Sequence, residues 1–271
     1  MPILIALPFL GAIIIRLFHK KKFLKETLSC VFAITLIVLS GVVIQEVHAN
    51  KVIIHQLGKP KNYLGLTLVL DAPGNFFLMS IVIFFFFSIF YSTKYFGDEE
   101  PKAYFYILSL ILFAGLISLI LTSDLLNMFL SLVAIVITII GLMGFKRSYS
   151  SINFFKFFLV IISGLLAIFM SIVIVYALFG TMNFARIHMK LIEAPLPILP
   201  LVILLLVGLL ILSGAIPFYF ATTKMLESTT PVVATIFTTL FIPIVSLYCI
   251  LRMLFFVFGF DNITAWILFF I

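Results

Sequence analysis

Eight long apolar runs, at about 2–18, 26–45, 73–93, 103–122, 124–145, 154–179, 197–220 and 230–258, limit what this chain of 271 residues can fold into. Each is read as long enough to cross a hydrocarbon core of ~30 Å, which takes ~20 residues in a helix. In lipid every backbone N–H and C=O must be paired inside its own segment or within a closed barrel. Barrel strands would alternate apolar and polar residues with period two, and these runs do not. The expected fold class is all-α integral membrane: a bundle of about eight transmembrane helices, with a broken seventh helix and a short ninth hydrophobic segment at 262–271. Residues 1–271 form a single transmembrane domain in this reading.

Composition excludes the alternatives. The chain is 64% hydrophobic and 10% charged, whereas a soluble domain carries about 25% charged residues. No soluble catalytic domain can be drawn from it, so the chain is not expected to be catalytic by itself. The first run has only Arg16 near its end and no small-residue cleavage site, so it reads as a retained helix. The net charge of +7 does not point to nucleic acid, because the basic residues sit in short gaps between apolar runs. Alternate gaps, from Arg16 to Lys25, Lys94 to Lys102, Lys146 to Lys156 and at Lys224, hold eleven of the seventeen. The positive-inside tendency then puts the N-terminus outside. Cys30 and Cys249 lie within apolar runs as small hydrophobes. His19, His48, His55 and His188 fall in gaps as solvated loop residues, and no metal site is expected.

Two helices carry interruptions. Residues 213–217 read Ser-Gly-Ala-Ile-Pro, where Pro217 removes a donor and Gly214 relaxes the backbone, and Pro243 interrupts the next run. Such breaks are either packing kinks or markers of an ion or substrate site.

The later runs resemble the antiporter-like membrane subunits shared by complex I, Mrp-type antiporters and membrane-bound hydrogenase-type complexes. The resemblance lies in the order of several stretches: LGLTLVLDAPGNFF at 64–77, AYFYILSLILFAGLISLILTSDLLNMFL at 103–130, FFKFFLVIISGLLAIFMSIVIVYALFGTMNF at 154–184, VGLLILSGAIPFYF at 207–220 and PVVATIFTTLFIPIVSLYCILR at 231–252. It covers the first two-thirds of a family member, so the chain reads as a shortened one. It implies a glutamate in the fifth helix, a lysine in the broken seventh and a lysine in the eighth as ion-path groups. Those positions fall on Val133, Leu212 and about Ile244, and the histidine and tryptophan implied after the Pro-Phe pair are Tyr219 and Ala221. With no ionisable side chain in the helix cores, the chain is expected not to pump by the family's mechanism.

The remaining polar-path candidates lie near segment ends. Asp124 is an N-cap or the feed of a proton path. Lys156 snorkels to the headgroups or marks a family lysine. Lys224 and Glu227, three apart, form a weak helical pair or the mouth of a residual path that Ser213, Tyr219, Thr222 and Thr223 would line.

The expected function is a non-redox membrane subunit of a multi-subunit ion-translocating oxidoreductase, hydrogenase-related, sulfur-reducing or complex I-like, with a mainly structural or bridging role. The alternative is an autonomous secondary transporter or channel with its site at the broken helices. The resemblance implies no cofactor in this chain and Fe–S clusters in partner subunits. Expected partners are other membrane subunits, among them a full-length antiporter-like one, and lipid. The expected location is the plasma membrane of a prokaryote, with the mitochondrial inner membrane as second choice.

Overall fold

The computed structural model describes residues 1–18, 22–57, 66–96, 102–144, 151–193, 198–215 and 218–259. In order, its helices are α1 (Pro2–Leu17), α2 (Lys22–Asn50), α3 (Ala72–Tyr95), α4 (Lys102–Leu121), α5 (Leu125–Met143), α6 (Ser151–Phe179), α7 (Phe184–Glu193), α8 (Leu199–Ser213), α9 (Tyr219–Ser228) and α10 (Pro231–Phe258). A hairpin of β1 (Ile53–Leu57) and β2 (Leu66–Leu70) lies between α2 and α3.

Six helices (in α2, α3, α4, α5, α6 and α10) are long and apolar enough to cross a membrane. Two other apolar helices are shorter than the sequence suggested: α1 has 16 residues and α8 has 15. In α8 the helix stops because Gly214 adopts φ 67°, a left-handed cap that glycine takes at little cost. The amides of Gly214 and Ala215 then close on the carbonyls of Ile211 and Leu210. Pro217 and the 262–271 segment lie outside the described residues.

The core runs along α4, whose Phe105, Tyr106, Phe113, Leu116 and Ile120 are fully buried. α1, α3 and α5 pack around it, while α6 lies against α8. That last contact is close because two glycines face each other. A Cβ on Gly208 would meet Ile168 Cγ1 at 2.6 Å and the Gly164 carbonyl at 2.9 Å. Small residues let helix backbones approach in this way where no water drives association. By contrast Phe76, Phe87, Ile137, Leu166 and Met170 point outward, as lipid-facing positions should.

α10 departs from α-helical geometry. Phe237–Phe241, Ile244–Cys249 and Arg252–Phe258 form wide π-helical turns, and Pro243 stands between the first two.

The gap after α2, where His55 was expected to be a loop residue, holds the hairpin instead. Ile53 pairs with Leu70 and His55 with Leu68 in an antiparallel register. Leu68 and Leu70 are buried while Ile54 is exposed, the period-two alternation of a strand with one covered face. Leu68 also bridges to Thr122, which ties the hairpin to the α4–α5 turn.

Candidate functional site

The three positions assigned to lost ion-path charges lie along the bundle interior. Val133 on α5 is half-buried, and Leu212 on α8 and Ile244 on α10 are buried. Several hydroxyls on the same helices and on their neighbours are already satisfied. Ser118 and Ser131 bond each other at 2.9 Å, and Thr138 donates to the Ile135 carbonyl at 2.8 Å. Ser171 reaches from α6 to the Leu201 carbonyl at 3.3 Å.

The structure brings part of the proposed polar path together at the α8–α9 junction. Thr222 packs so tightly on Gly214 that a Cβ there would meet its Cγ2 at 2.6 Å. Thr222 and Thr223 donate to the Tyr219 carbonyl at 2.7 and 3.0 Å, and Ser213 donates to the Leu210 carbonyl at 3.0 Å. Each hydroxyl thus closes onto a carbonyl of its own helix. Tyr219 is exposed and stacked on Phe220, and Lys224 and Glu227 lie exposed on α9. Lys156 lies exposed on α6.

Asp124 lies apart from this junction, at the start of α5. Its carboxylate accepts from the Leu126 amide at 2.8 Å, capping α5. It belongs to a cluster in which Asn127 donates to Thr122 at 3.0 Å, Ser123 donates to the Thr67 carbonyl at 2.8 Å, and Asp124 bridges to Asn183.

Two ion pairs escaped the sequence reading, which counted their cations as orientation signals. Lys102, 4% exposed, holds Glu26 of α2 at 2.5 Å. Arg252, 6% exposed and six residues before the end of α10, pairs through Nη1 with Asp71 Oδ2. Asp71 caps α3, accepting from the Gly74 amide at 3.0 Å. The Arg252 guanidinium lies 4.7 Å over the Phe256 ring. One turn earlier Tyr248 donates to the Ile120 carbonyl at 2.6 Å and rests edge-on against Phe77. Arg252 Nε and Asn75 Oδ1 are buried without a hydrogen-bond partner among the described residues. The one legible signal was Asp71 itself, an N-cap residue followed by proline in the first turn. Its partner stands 181 residues away, beyond any local pattern.

Chemically, the Asp71–Arg252 pair is a lock. A guanidinium does not give up its proton in a protein, and a carboxylate held by it and by a cap amide stays where it is. His188 corrects another expectation: it is no solvated loop residue, since its Nδ1 lies 3.2 Å from the Val257 carbonyl on α10. His55 is exposed on β1 and His48 lies within α2. Among the described residues no three His, Cys, Asp or Glu side chains gather as metal ligands. Cys30 and Cys249 are free thiols.

A bundle of long apolar helices, with two buried ion pairs near its ends, defines a multi-pass membrane protein. The chain belongs to the NADH:quinone oxidoreductase/Mrp antiporter transmembrane family, whose model matches residues 122–271. It is 27% identical over 227 residues to a Na(+)/H(+) antiporter subunit of Bacillus subtilis, covering 81% of this chain and 45% of that protein. It is 25% identical over 225 residues to the corresponding Na(+)/H(+) antiporter subunit of Alkalihalophilus pseudofirmus, with the same coverage, 81% and 45%. The chain therefore spans about half the length of the curated relatives it matches. Its fold is shared with a chain of the Mrp complex from a Dietzia species, at TM-score 0.87 and 21% identity over 98% of this chain and 50% of that one. It is shared equally, at TM-score 0.87 and 19% identity, with a chain of the membrane-bound sulfane sulfur reductase, an archaeal respiratory complex; the match covers 98% of this chain and 55% of that one.

Proposed function

We propose that this chain is a non-redox membrane subunit of a multi-subunit, ion-translocating complex, and that it serves that complex mainly by bridging its neighbours. The observation that carries this reading is the apolar lining at Val133, Leu212 and Ile244, where the family resemblance implies glutamate and lysines. A proton or sodium path needs groups that take up charge at bilayer depth. Here Ser118, Ser131, Thr138 and Ser171 bond to carbonyls or to each other, and the buried cations Lys102 and Arg252 are each held by a carboxylate. The likeness to the two Na(+)/H(+) antiporter components supports an ion-translocating assembly as the home. The likeness to a respiratory reductase supports an oxidoreductase, hydrogenase-related, sulfur-reducing or complex I-like.

In this reading α1 and α8 join the six long helices to make about eight crossings in one membrane domain, and α8 with α9 forms the broken seventh helix. The N-terminus lies outside, in the plasma membrane of a prokaryote. Fe–S clusters belong to partner subunits, and a full-length antiporter-like subunit and lipid are neighbours.

Purification in gentle detergent followed by mass spectrometry tests the proposal. Hydrogenase-like, Mrp-like or complex I-like subunits are expected to co-purify, and their absence counts against it. Purified alone in liposomes, the chain is expected to move neither protons nor sodium. Flux from the chain alone would favour the autonomous transporter.

A further inference from the structure

We infer that a groove between α3 and α10 holds one acyl chain of an anionic phospholipid whose phosphate is met by Lys94. The groove has a volume of about 320 Å³ and is lined by Phe84, Phe87, Ser88 and Tyr91 of α3 and by Thr235 and Thr239 of α10. Its walls are exposed on the membrane face, with Phe87 61% and Tyr91 46% accessible.

Length, charge and wall chemistry identify the occupant. From Phe84 to Lys94 α3 advances ~15 Å at 1.5 Å per residue, about half of a ~30 Å hydrocarbon core. The lining from Phe84 to Tyr91 covers ~10 Å of this, so the groove and the turn that ends at Lys94 together match one leaflet. Lys94 follows Phe87 and Tyr91 at helical spacing on one stripe, is exposed, and lies 5.7 Å from the Phe90 ring. Tyr91 and Tyr95 sit ring to ring at 5.9 Å near this end, as aromatic side chains do at the headgroup level. A lysine and a tyrosine pair where the groove meets the interface complement a phosphate.

The walls argue against a partner helix. Helices associate in lipid through small residues or unspent polar groups; Ser88, Thr235 and Thr239 are small, but their hydroxyls are spent on their own helices. Phe84, Phe87 and Tyr91 keep another backbone at a distance. Ser88 donates to the Phe84 carbonyl at 2.8 Å, Thr235 to Pro231 at 2.8 Å and Thr239 to Thr235 at 2.7 Å. A methylene chain needs none of these hydroxyls.

The test is native mass spectrometry of the delipidated full chain, titrated with phosphatidylglycerol or with phosphatidylcholine of the same acyl chains. The wild type is expected to take one saturable phosphatidylglycerol, bound about fivefold more tightly than phosphatidylcholine, the size of a single lysine's attraction to an anionic lipid. Lys94→Gln is expected to bring the two lipids to parity while leaving the adduct in place. Thr235→Trp and Thr239→Trp fill the groove and should each remove the adduct, whereas Thr238→Trp, on the exposed face of α10, should not. Variants are compared only if their unfolding midpoints match the wild type. An adduct that survives both groove-filling variants, or a headgroup preference that survives Lys94→Gln, overturns the inference. So does a polypeptide cross-linked through Phe87→Cys in native membranes.

Discussion

Midway along the bundle Leu212 and Ile244 are sealed among apolar side chains, while toward the hairpin end Arg252 reaches across to Asp71 beneath a mesh of hydrogen bonds. The two regions solve the same problem, backbone and side chain held without water, by different means. The middle relies on shape and on hydroxyls folded back to carbonyls. The end relies on charge, with Asp71, Asp124, Asn183 and Thr67 joining the hairpin, α3, α5 and the α6–α7 connection. A chain built this way is cross-linked at the hairpin end and apolar at Val133, Leu212 and Ile244. The proposed bridging role rests on that contrast.

The contrast is open to direct attack. Arg252→Leu leaves the half-buried Asp71 without its cation, and should cost about 3 kcal/mol in detergent unfolding; the double variant with Asp71→Leu should recover most of it. If the single variant unfolds at the wild-type midpoint, the charged end contributes no more than the middle. In the middle, Leu212→Lys introduces a charge at apolar depth and should cost at least ~2.5–3.5 kcal/mol. A tolerated lysine there would reveal hydration that the bundle interior does not suggest.

Smaller effects sharpen the picture. Gly208→Ala pushes a methyl into Ile168 and the Gly164 carbonyl, and overpacking of this kind costs typically ~1–3 kcal/mol by the same unfolding assay. Asp124→Ala removes the α5 cap and should cost ~1 kcal/mol. Lys224→Ala, on the exposed face of α9, should leave ion pumping by the whole complex nearly unchanged in inverted vesicles, and a large loss would restore the residual path.

Much of this architecture is written locally in the chain. Apolar runs place the long helices because lipid permits no unpaired backbone, and Asp71 and Asp124 announce the starts of α3 and α5 through side chains that can cap. The hairpin was missed although it left a signal: the β-branched stretch at 52–54 and the run LTLVL flank a segment with Gly58, Pro60, Asn62 and Gly65, but the runs are short and lie in a gap. The ion pairs were not legible. Lys102 and Arg252 resemble any other basic residue near a span end, and only packing shows that Glu26 and Asp71 await them. The path candidates sort the same way: Ser213, Gly214, Tyr219 and Thr222 converge because they are neighbours in sequence, while Lys156 and Asp124 end up elsewhere. The π-helical turns of α10 leave no mark in hydrophobicity, since a helix apolar on nearly all sides shows no shift of period.

Those turns have a further consequence for fit. As a regular α-helix the 28 residues of α10 would extend ~42 Å, well past a ~30 Å hydrocarbon slab. Hydrogen bonds that span five residues widen each turn and shorten its advance, so α10 takes up part of that surplus length as girth.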